Sequence, residues 1–218
     1  MKNIPRIFAG NNIQTGDKIA IGRDISHYLG RVMRTDKCLA FGGGREFDAQ
    51  LSPDGKYLVI GNQTTHIDPA NDITLMFSPI KHTDDLINMA TQMGVKYLQP
   101  VITDRTNANH INWTRMQKIA IEASEQSNRN SVPEILPIKH FSDLDLSNTV
   151  FADERAAYGH TIAQISTPVT SILIGPEGGF SDAEFSALDN AGAHGISLGK
   201  TILRAELAAA IAIHWVLK

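Results

Sequence analysis

Ser171-Ile172-Leu173-Ile174-Gly175-Pro176-Glu177-Gly178-Gly179-Phe180-Ser181 is the stretch on which the fold turns. Thr170 to Ile174 has too few polar side chains for a strand with one wet face, so it reads as a parallel strand covered on both sides. The glycines that follow allow positive φ and close approach of a ligand to bare backbone. Ser181 and Glu184 stand at capping-box spacing and predict a helix running to about Gly192. Buried strand, glycine turn and capped helix together place a loop beyond the carboxyl end of a strand, where open α/β sheets hold their ligands. Taken alone, the same turn reads equally as a tight strand-to-helix connection.

Toward the C-terminus the pattern recurs. Gly195 to Leu198 reads as a strand, Gly199 as its turn, and a closing helix starts near Leu203 with Arg204 and Glu206 in its first turn. An isolated Arg and Glu of this kind usually form a surface ion pair. Toward the N-terminus, Ile73–Phe77 reads as a strand. Thr83 is placed to N-cap a helix that Gly94 closes, with Asp84 and Asp85 at its positive end. Lys96–Val101 is the next strand. Asn112 precedes a helix whose Trp113, Met116, Ala120 and Ala123 share a face. Glu134–Ile138 and Thr149–Ala152 are further strands. The alternation predicts an α/β domain with a mainly parallel sheet.

Before this domain the rhythm differs. Lys37–Phe41 and Arg45–Leu51 flank Gly42-Gly43-Gly44 as a hairpin, Ser52-Pro53-Asp54-Gly55 is a turn, and Lys56–Ile60 is a strand. Ile25–Arg34 is more helical, with Tyr28, Leu29 and Val32 on one face. Thr65–Asp72 reads as a linker. The expected organisation is a small β-rich module over residues 1–71 and an α/β domain over residues 72–218.

Composition narrows the functional classes. The 218 residues are 42% hydrophobic and 20% charged, which excludes a disordered chain. Cys38 is the lone cysteine, so neither an intrachain disulfide nor a cysteine-based zinc site is available. The eight histidines show no metal-ligand spacing, and no metal is expected. Ile202–Leu217 is interrupted by Arg204, Glu206 and His214, and the N-terminus has no apolar leader core. A soluble, cytoplasmic protein without membrane contact is the expectation. The first 37 residues carry seven Lys and Arg against three Asp, a basic end on an otherwise acidic chain, which reads either as the seat of an anionic partner or as an unevenly charged solvated surface. Neither glycine turn fits G-x-G-x-x-G or carries a Walker lysine, which argues against a nucleotide-binding enzyme. Glu122-Ala123-Ser124-Glu125-Gln126-Ser127-Asn128-Arg129 ends a helix with many groups able to hydrogen-bond a base or phosphate.

These segments, taken together, resemble the RsmE family of ribosomal RNA methyltransferases. The likeness rests on Leu173-Ile174-Gly175-Pro176-Glu177-Gly178-Gly179-Phe180 with Glu184, on Leu198-Gly199 and Ile202-Leu203-Arg204-x-Glu206, and on Glu125-Gln126-Ser127-x-Arg129-x-x-Val132-Pro133. Arg6-x-Phe8 and His27-Tyr28-Leu29-x-x-Val32-Met33-Arg34 are similar to the opening of that family's PUA-like module. The chain departs from the pattern at Leu207, where the family has Thr, and at Met89 and Gln92, where it has Lys and Glu.

The resemblance implies a SPOUT-class, trefoil-knotted domain behind a PUA-like RNA-binding module. It implies a homodimer that uses S-adenosylmethionine to methylate N3 of a uridine in small-subunit ribosomal RNA. It implies that Ile174, Gly175, Pro176, Glu177, Gly178, Gly179, Ser197, Leu198, Gly199, Ile202 and Leu203 hold the cofactor. Arg204, Glu206, Gln126 and Arg129 then become the residues expected to serve substrate and transfer, and Arg6, Arg23, Arg31 and Arg34 those expected to touch RNA phosphates. The alternative is a noncatalytic RNA-binding or ribosome-assembly protein that keeps the knotted fold, which the departures favour.

Overall fold

The structure, a computed structural model, describes residues 4–107, 111–160 and 168–218. The chain divides into two compact units, Met1–Ala70 with Ile121–Val132, and Asn71–Ala120 with Pro133–Lys218.

The first unit is built on a five-stranded sheet of order β1-β3-β4-β5-β2, with β1 Arg6–Phe8, β2 Lys18–Ala20, β3 Lys37–Gly42, β4 Arg45–Leu51 and β5 Tyr57–Ile67. Among the described residues only the β1–β3 pair of this sheet is parallel. The triple glycine is the β3–β4 hairpin tip. Gly43 has φ 58°, and a Cβ there would lie 2.3 Å from the Asn11 carbonyl oxygen, so only glycine fits. Strand β5 continues to Ile67, so the start of the expected linker is strand.

Helix α1, Arg23–His27, runs into a π-helical segment, Tyr28–Met33. A π-turn adds a residue per turn. The expected shared face of Tyr28, Leu29 and Val32 is therefore broken: Leu29 is buried, while Tyr28 and Val32 are exposed. Ile7, Leu29, Cys38, Phe47, Leu58 and Ile60 form this unit's core.

Among the described residues, the second unit carries a seven-stranded sheet in which every pair is parallel. Its order is β12-β10-β11-β6-β7-β8, with β9 also beside β7. The strands are β6 Thr74–Phe77, β7 Tyr97–Ile102, β8 Glu134–Ile135, β9 Lys139–His140, β10 Thr149–Ala152, β11 Ser171–Ile174 and β12 His194–Ile196. All four residues of β11 are buried between β6 and β10, as its lack of polar side chains predicts. Of the strand expected over Glu134–Ile138 only Glu134–Ile135 is strand, since Pro137 has no N–H to give a ladder, and pairing resumes beyond it at Lys139–His140.

The helices are α2 Thr83–Gln92, α3 Trp113–Gln126, α4 Asp182–Asn190 and α5 Ala205–Leu217, and the last part of α3 belongs to the first unit. Thr83 is the first residue of α2 and not its cap. Its hydroxyl instead closes a turn with the N–H and carbonyl of Ile80, each at 2.8 Å. The capping box of α4 is present: the Ser181 hydroxyl accepts from Glu184 N–H, and the Glu184 carboxylate accepts from Ser181 N–H. Helix α5 buries Ala205, Ala208, Ala209, Ala212 and Ile213 and packs on α2.

Candidate functional site

The carboxyl ends of β10, β11 and β12 in the second unit open into a cavity of about 310 Å³. Ile174, Gly175, Pro176, Glu177, Gly179, Leu198, Gly199, Ile202, Leu203 and Arg204 line it. The two glycine turns singled out in the sequence thus meet at one place. Gly178 and Ser197 are not among the lining residues. Gly178 turns outward, its carbonyl accepting from Arg105 Nη1 at 2.9 Å. Ser197 Oγ instead faces the backbone of Gly199. Sequence reading missed Ala152, Asp153, Glu154 and Ala157, which follow β10. The signal that finds them is sheet order: β10 lies beside β11, so their carboxyl ends share one rim.

The turn from Gly175 to Gly179 is held from behind. A Cβ on Gly175 would meet the Phe180 ring at 3.1 Å. Phe180 packs in an aromatic cluster with Phe141, Phe151 and Phe185. Gly179 has φ 69°, and its N–H donates to Pro176 O at 2.9 Å. A Cβ there would fall 2.1 Å from a carboxylate oxygen of Glu154. Arg105 Nη1 also donates to Phe180 O at 3.1 Å, so one guanidinium clamps both ends of the turn.

Asp153 is buried and takes two bonds from the Arg155 guanidinium, at 2.9 and 2.8 Å, and a third from the Arg155 backbone N–H at 3.0 Å. Arg155 reaches Asp189 as well and lies over the Phe185 ring. The hydrogen bonds it donates to Asp189 and Asp153 raise the Arg155 pKa, and the same contact holds Asp189 below the usual carboxylate range. Arg204 caps α5 with its carbonyl, which accepts from Ala208 N–H at 2.8 Å. Its exposed guanidinium has no hydrogen-bond partner among the described residues. Glu206 lies in the first turn of α5, away from the cavity lining.

The first unit holds the remaining expected residues. Arg23, Arg31 and Arg34 are exposed around the helical segment, and Arg23 and Arg31 share a shallow concavity with His27 and Lys56. Arg6 overturns the expectation of a phosphate contact, because its side chain is only 8% exposed. Its Nε bonds Glu46 at 3.1 Å, and its other nitrogens donate to Ser124 O, Arg129 O and Asn130 Oδ1 at 3.2, 3.0 and 2.5 Å. It also lies over the Phe41 ring. A buried, stacked guanidinium with four of its five N–H groups engaged in this way has no edge left to present to phosphate.

Asn130 and Ser131 continue the network to Asp68, at 2.8 and 2.6 Å. Arg129 Nη2 donates to Ser131 Oγ at 3.0 Å. Burial lowers the Arg129 pKa, while the Asp68 charge pulls it back. Gln126 is exposed at the end of α3.

Residues 68–217 match the family described as an RNA methyltransferase domain. The curated protein "Ribosomal RNA small subunit methyltransferase E" of Rickettsia conorii is 32% identical over 226 residues, spanning 95% of this chain and 93% of that one. The chain belongs to the ribosomal RNA small subunit methyltransferase E family. A second member, from Synechocystis, is 30% identical over 209 residues, with 86% of this chain and 68% of that one covered. Among solved structures, the family member from Neisseria gonorrhoeae bound to S-adenosyl methionine superposes with a TM-score of 0.84 at 27% identity, covering 98% of this chain and 96% of that one. A probable rRNA methyltransferase from Porphyromonas gingivalis gives 0.81 at 26% identity, covering 98% and 97%. The family resemblance therefore takes in both compact units and not the cavity alone.

Proposed function

We propose that this chain uses S-adenosylmethionine to methylate N3 of a specific uridine in small-subunit (16S) ribosomal RNA. The observation that carries the reading is the cavity at the strand ends. Its walls combine apolar side chains, Ile174, Leu198, Ile202 and Leu203, with bare backbone from two glycine turns. An adenosyl group asks for that mixture: a flat apolar body with polar edges that backbone N–H and C=O groups can meet. A family member holding S-adenosyl methionine in its crystal supports the same reading.

When bound, the cofactor supplies a methyl group already activated on a sulfonium. The protein has to fix the donor, bring uridine N3 in line with it and accept the N3 proton, so orientation and electrostatics carry the acceleration. The backbone around Ile174, Gly175 and Leu198 holds the donor, and Leu203 walls it. Arg204, without a hydrogen-bond partner for its guanidinium among the described residues, is available to a substrate phosphate or carbonyl. Glu177 and Glu206 are the acidic groups of the two motifs; Glu177 lines the cavity and is the candidate for taking the proton, whereas Glu206, outside the lining, organises the loop. Gln126 and Arg129 hold the uridine and its phosphate. Arg23, Arg31 and Arg34 contact the RNA backbone without reading its sequence, as expected of a PUA-like module. The target base must be unpaired or extruded, since N3 is engaged in a Watson–Crick pair.

The order of the sheet, in which the late strand β11 enters between β6 and β10, supports a trefoil-knotted SPOUT domain. Leu207 and Trp215 are exposed on α5, with Ile211 half-buried between them, an apolar stripe that supports a homodimer; a ribosomal RNA substrate would put its action in the cytoplasm. The test is mass spectrometry of ribosomal RNA nucleosides from cells lacking the protein. One N3-methyluridine should be missing and should return when the chain is restored. An unchanged nucleoside profile would remove the enzymatic reading and leave a noncatalytic RNA-binding protein.

A further inference from the structure

Among the described residues, four charged side chains line the cavity: Asp153, Glu154, Glu177 and Arg204. Their situations differ. Asp153 is neutralised by the two-bond contact with Arg155. Glu177 is exposed and accepts from Lys81 N–H at 3.3 Å. Arg204 stands at the rim. Glu154 is partly buried, and among the described residues its carboxylate makes no hydrogen bond and no ion pair. It nevertheless lies hard against the glycine turn: its two oxygens are 2.1 and 3.1 Å from where a Cβ on Gly179 would be. The Gly179 N–H cannot serve it, being bonded to Pro176 O at 2.9 Å. An uncompensated carboxylate in a partly apolar recess is costly unless a cation arrives to meet it. Its field is also stronger there than in open water.

We propose that the Glu154 carboxylate is the charge-selecting group of the cavity, favouring the cationic methyl donor over the product that has lost its charge at sulfur. The inference rests on the cofactor reading above. Donor and product share the adenosine, the ribose and the amino-acid tail. They differ in one methyl and one positive charge, so shape alone separates them weakly. A carboxylate fixed beside the glycine turn reads the charge. Loss of that charge on transfer weakens the hold on the product and favours its exchange. The turn must be glycine because the carboxylate occupies the space a side chain would take.

Titration calorimetry with S-adenosylmethionine and with S-adenosylhomocysteine, on the parent and on Glu154→Gln, tests this. Glu154→Gln should lose about tenfold in affinity for the donor and less than about twofold for the product, a difference that follows from one charge pair in a screened site. Glu154→Asp keeps the charge and should retain most of the donor affinity, with thermal unfolding showing that both variants are folded. Equal losses for the two ligands, or unchanged donor affinity in Glu154→Gln, would overturn the proposal while leaving the cofactor reading intact. A parent protein that binds neither ligand would overturn both. A Glu154→Gln protein that binds both as the parent does but methylates slowly would move Glu154 to the chemical step and overturn charge selection.

Discussion

In the first unit, Arg6 donates from three nitrogens to Glu46, Ser124, Arg129 and Asn130 and lies over Phe41. In the second, Arg204 stands at a cavity rim, with no hydrogen-bond partner for its guanidinium among the described residues. Motif position gives both a ligand to hold. The structure separates them by saturation. A guanidinium whose donors are taken by buried carbonyls and a carboxylate is part of the scaffold, and one left open at a cavity is available to a substrate. The same contrast runs through the carboxylates: Glu46 is held by Arg6 and Thr64, whereas Glu154 is held by nothing on its own chain among the described residues.

The largest expected effect breaks the clasp. Arg6→Ala leaves Glu46 buried without its partner and strips the donors from three acceptors, and removing one side of a buried pair costs about 3–5 kcal/mol. The urea midpoint should fall accordingly. Arg204→Ala should keep stability within about 0.5 kcal/mol while slowing methyl transfer with donor affinity retained. If the two variants lost stability equally, the division between scaffold and site arginines would fail. Cys38 supplies a local readout. It is 3% exposed, and burial pushes its thiol up to about 12, so it should react with thiol reagents only when the first unit opens. Labelling should be faster in Arg6→Ala and unchanged in Arg204→Ala.

A smaller effect separates two neighbouring glycines. Gly179→Ala forces a positive φ on alanine and drives its Cβ onto Glu154. Backbone strain of this kind costs about 1–3 kcal/mol, and affinity for S-adenosylmethionine should drop with it. At Gly178 a Cβ meets only Arg105, at 3.4 Å, an ordinary contact. Gly178→Ala should therefore bind the cofactor as the parent does in calorimetry. Equal losses at both positions would show that the turn acts through flexibility and not through the space beside Glu154.

The smallest effect concerns Glu125. Burial raises its carboxyl pKa against the opposing hydrogen bond from Phe8 N–H. The folded chain therefore holds this proton more tightly than the unfolded one. The resulting stabilisation is complete below the ordinary carboxylate range and is lost as pH rises through the raised value. Glu125→Gln keeps an acceptor for Phe8 and removes the buried charge. It should raise the urea midpoint near pH 7 and leave it unchanged near pH 4. A variant less stable than the parent at neutral pH would show that the charge is needed by the first unit.

Much of the second unit was legible because its signals are local. An apolar run, a turn of glycines and a capping box each depend on a few adjacent residues, and β11, the cavity turns and α4 stand where those residues put them. Glu154 and Asp153 carry no such signal. They reach the cavity only because β10 lies beside β11, a pairing that sequence spacing does not encode. The role of Arg6 was equally hidden. Its partners Ser124, Arg129 and Asn130 are 118, 123 and 124 positions away, and nothing near Arg6 distinguishes a buried arginine from one facing RNA. The π-helical segment shows the limit of periodicity itself. Reading Tyr28, Leu29 and Val32 at ordinary helical pitch puts them on one face, and an extra residue in the turn takes two of them to the surface.

The membership of Ile121–Val132 in the first unit has a consequence for how such a chain can be cut or recombined. The border between units is crossed after Ala70, after Ala120 and after Val132. A fragment starting at residue 71 carries a segment whose backbone and Asn130 side chain have been severed from Arg6, Asp68 and the His66 carbonyl. A graft of the first seventy residues onto another enzyme arrives without the strip that Arg6 was made to hold. Exchange of either half between relatives is a two-segment operation, and a gene fusion at a single joint leaves a wound on both sides.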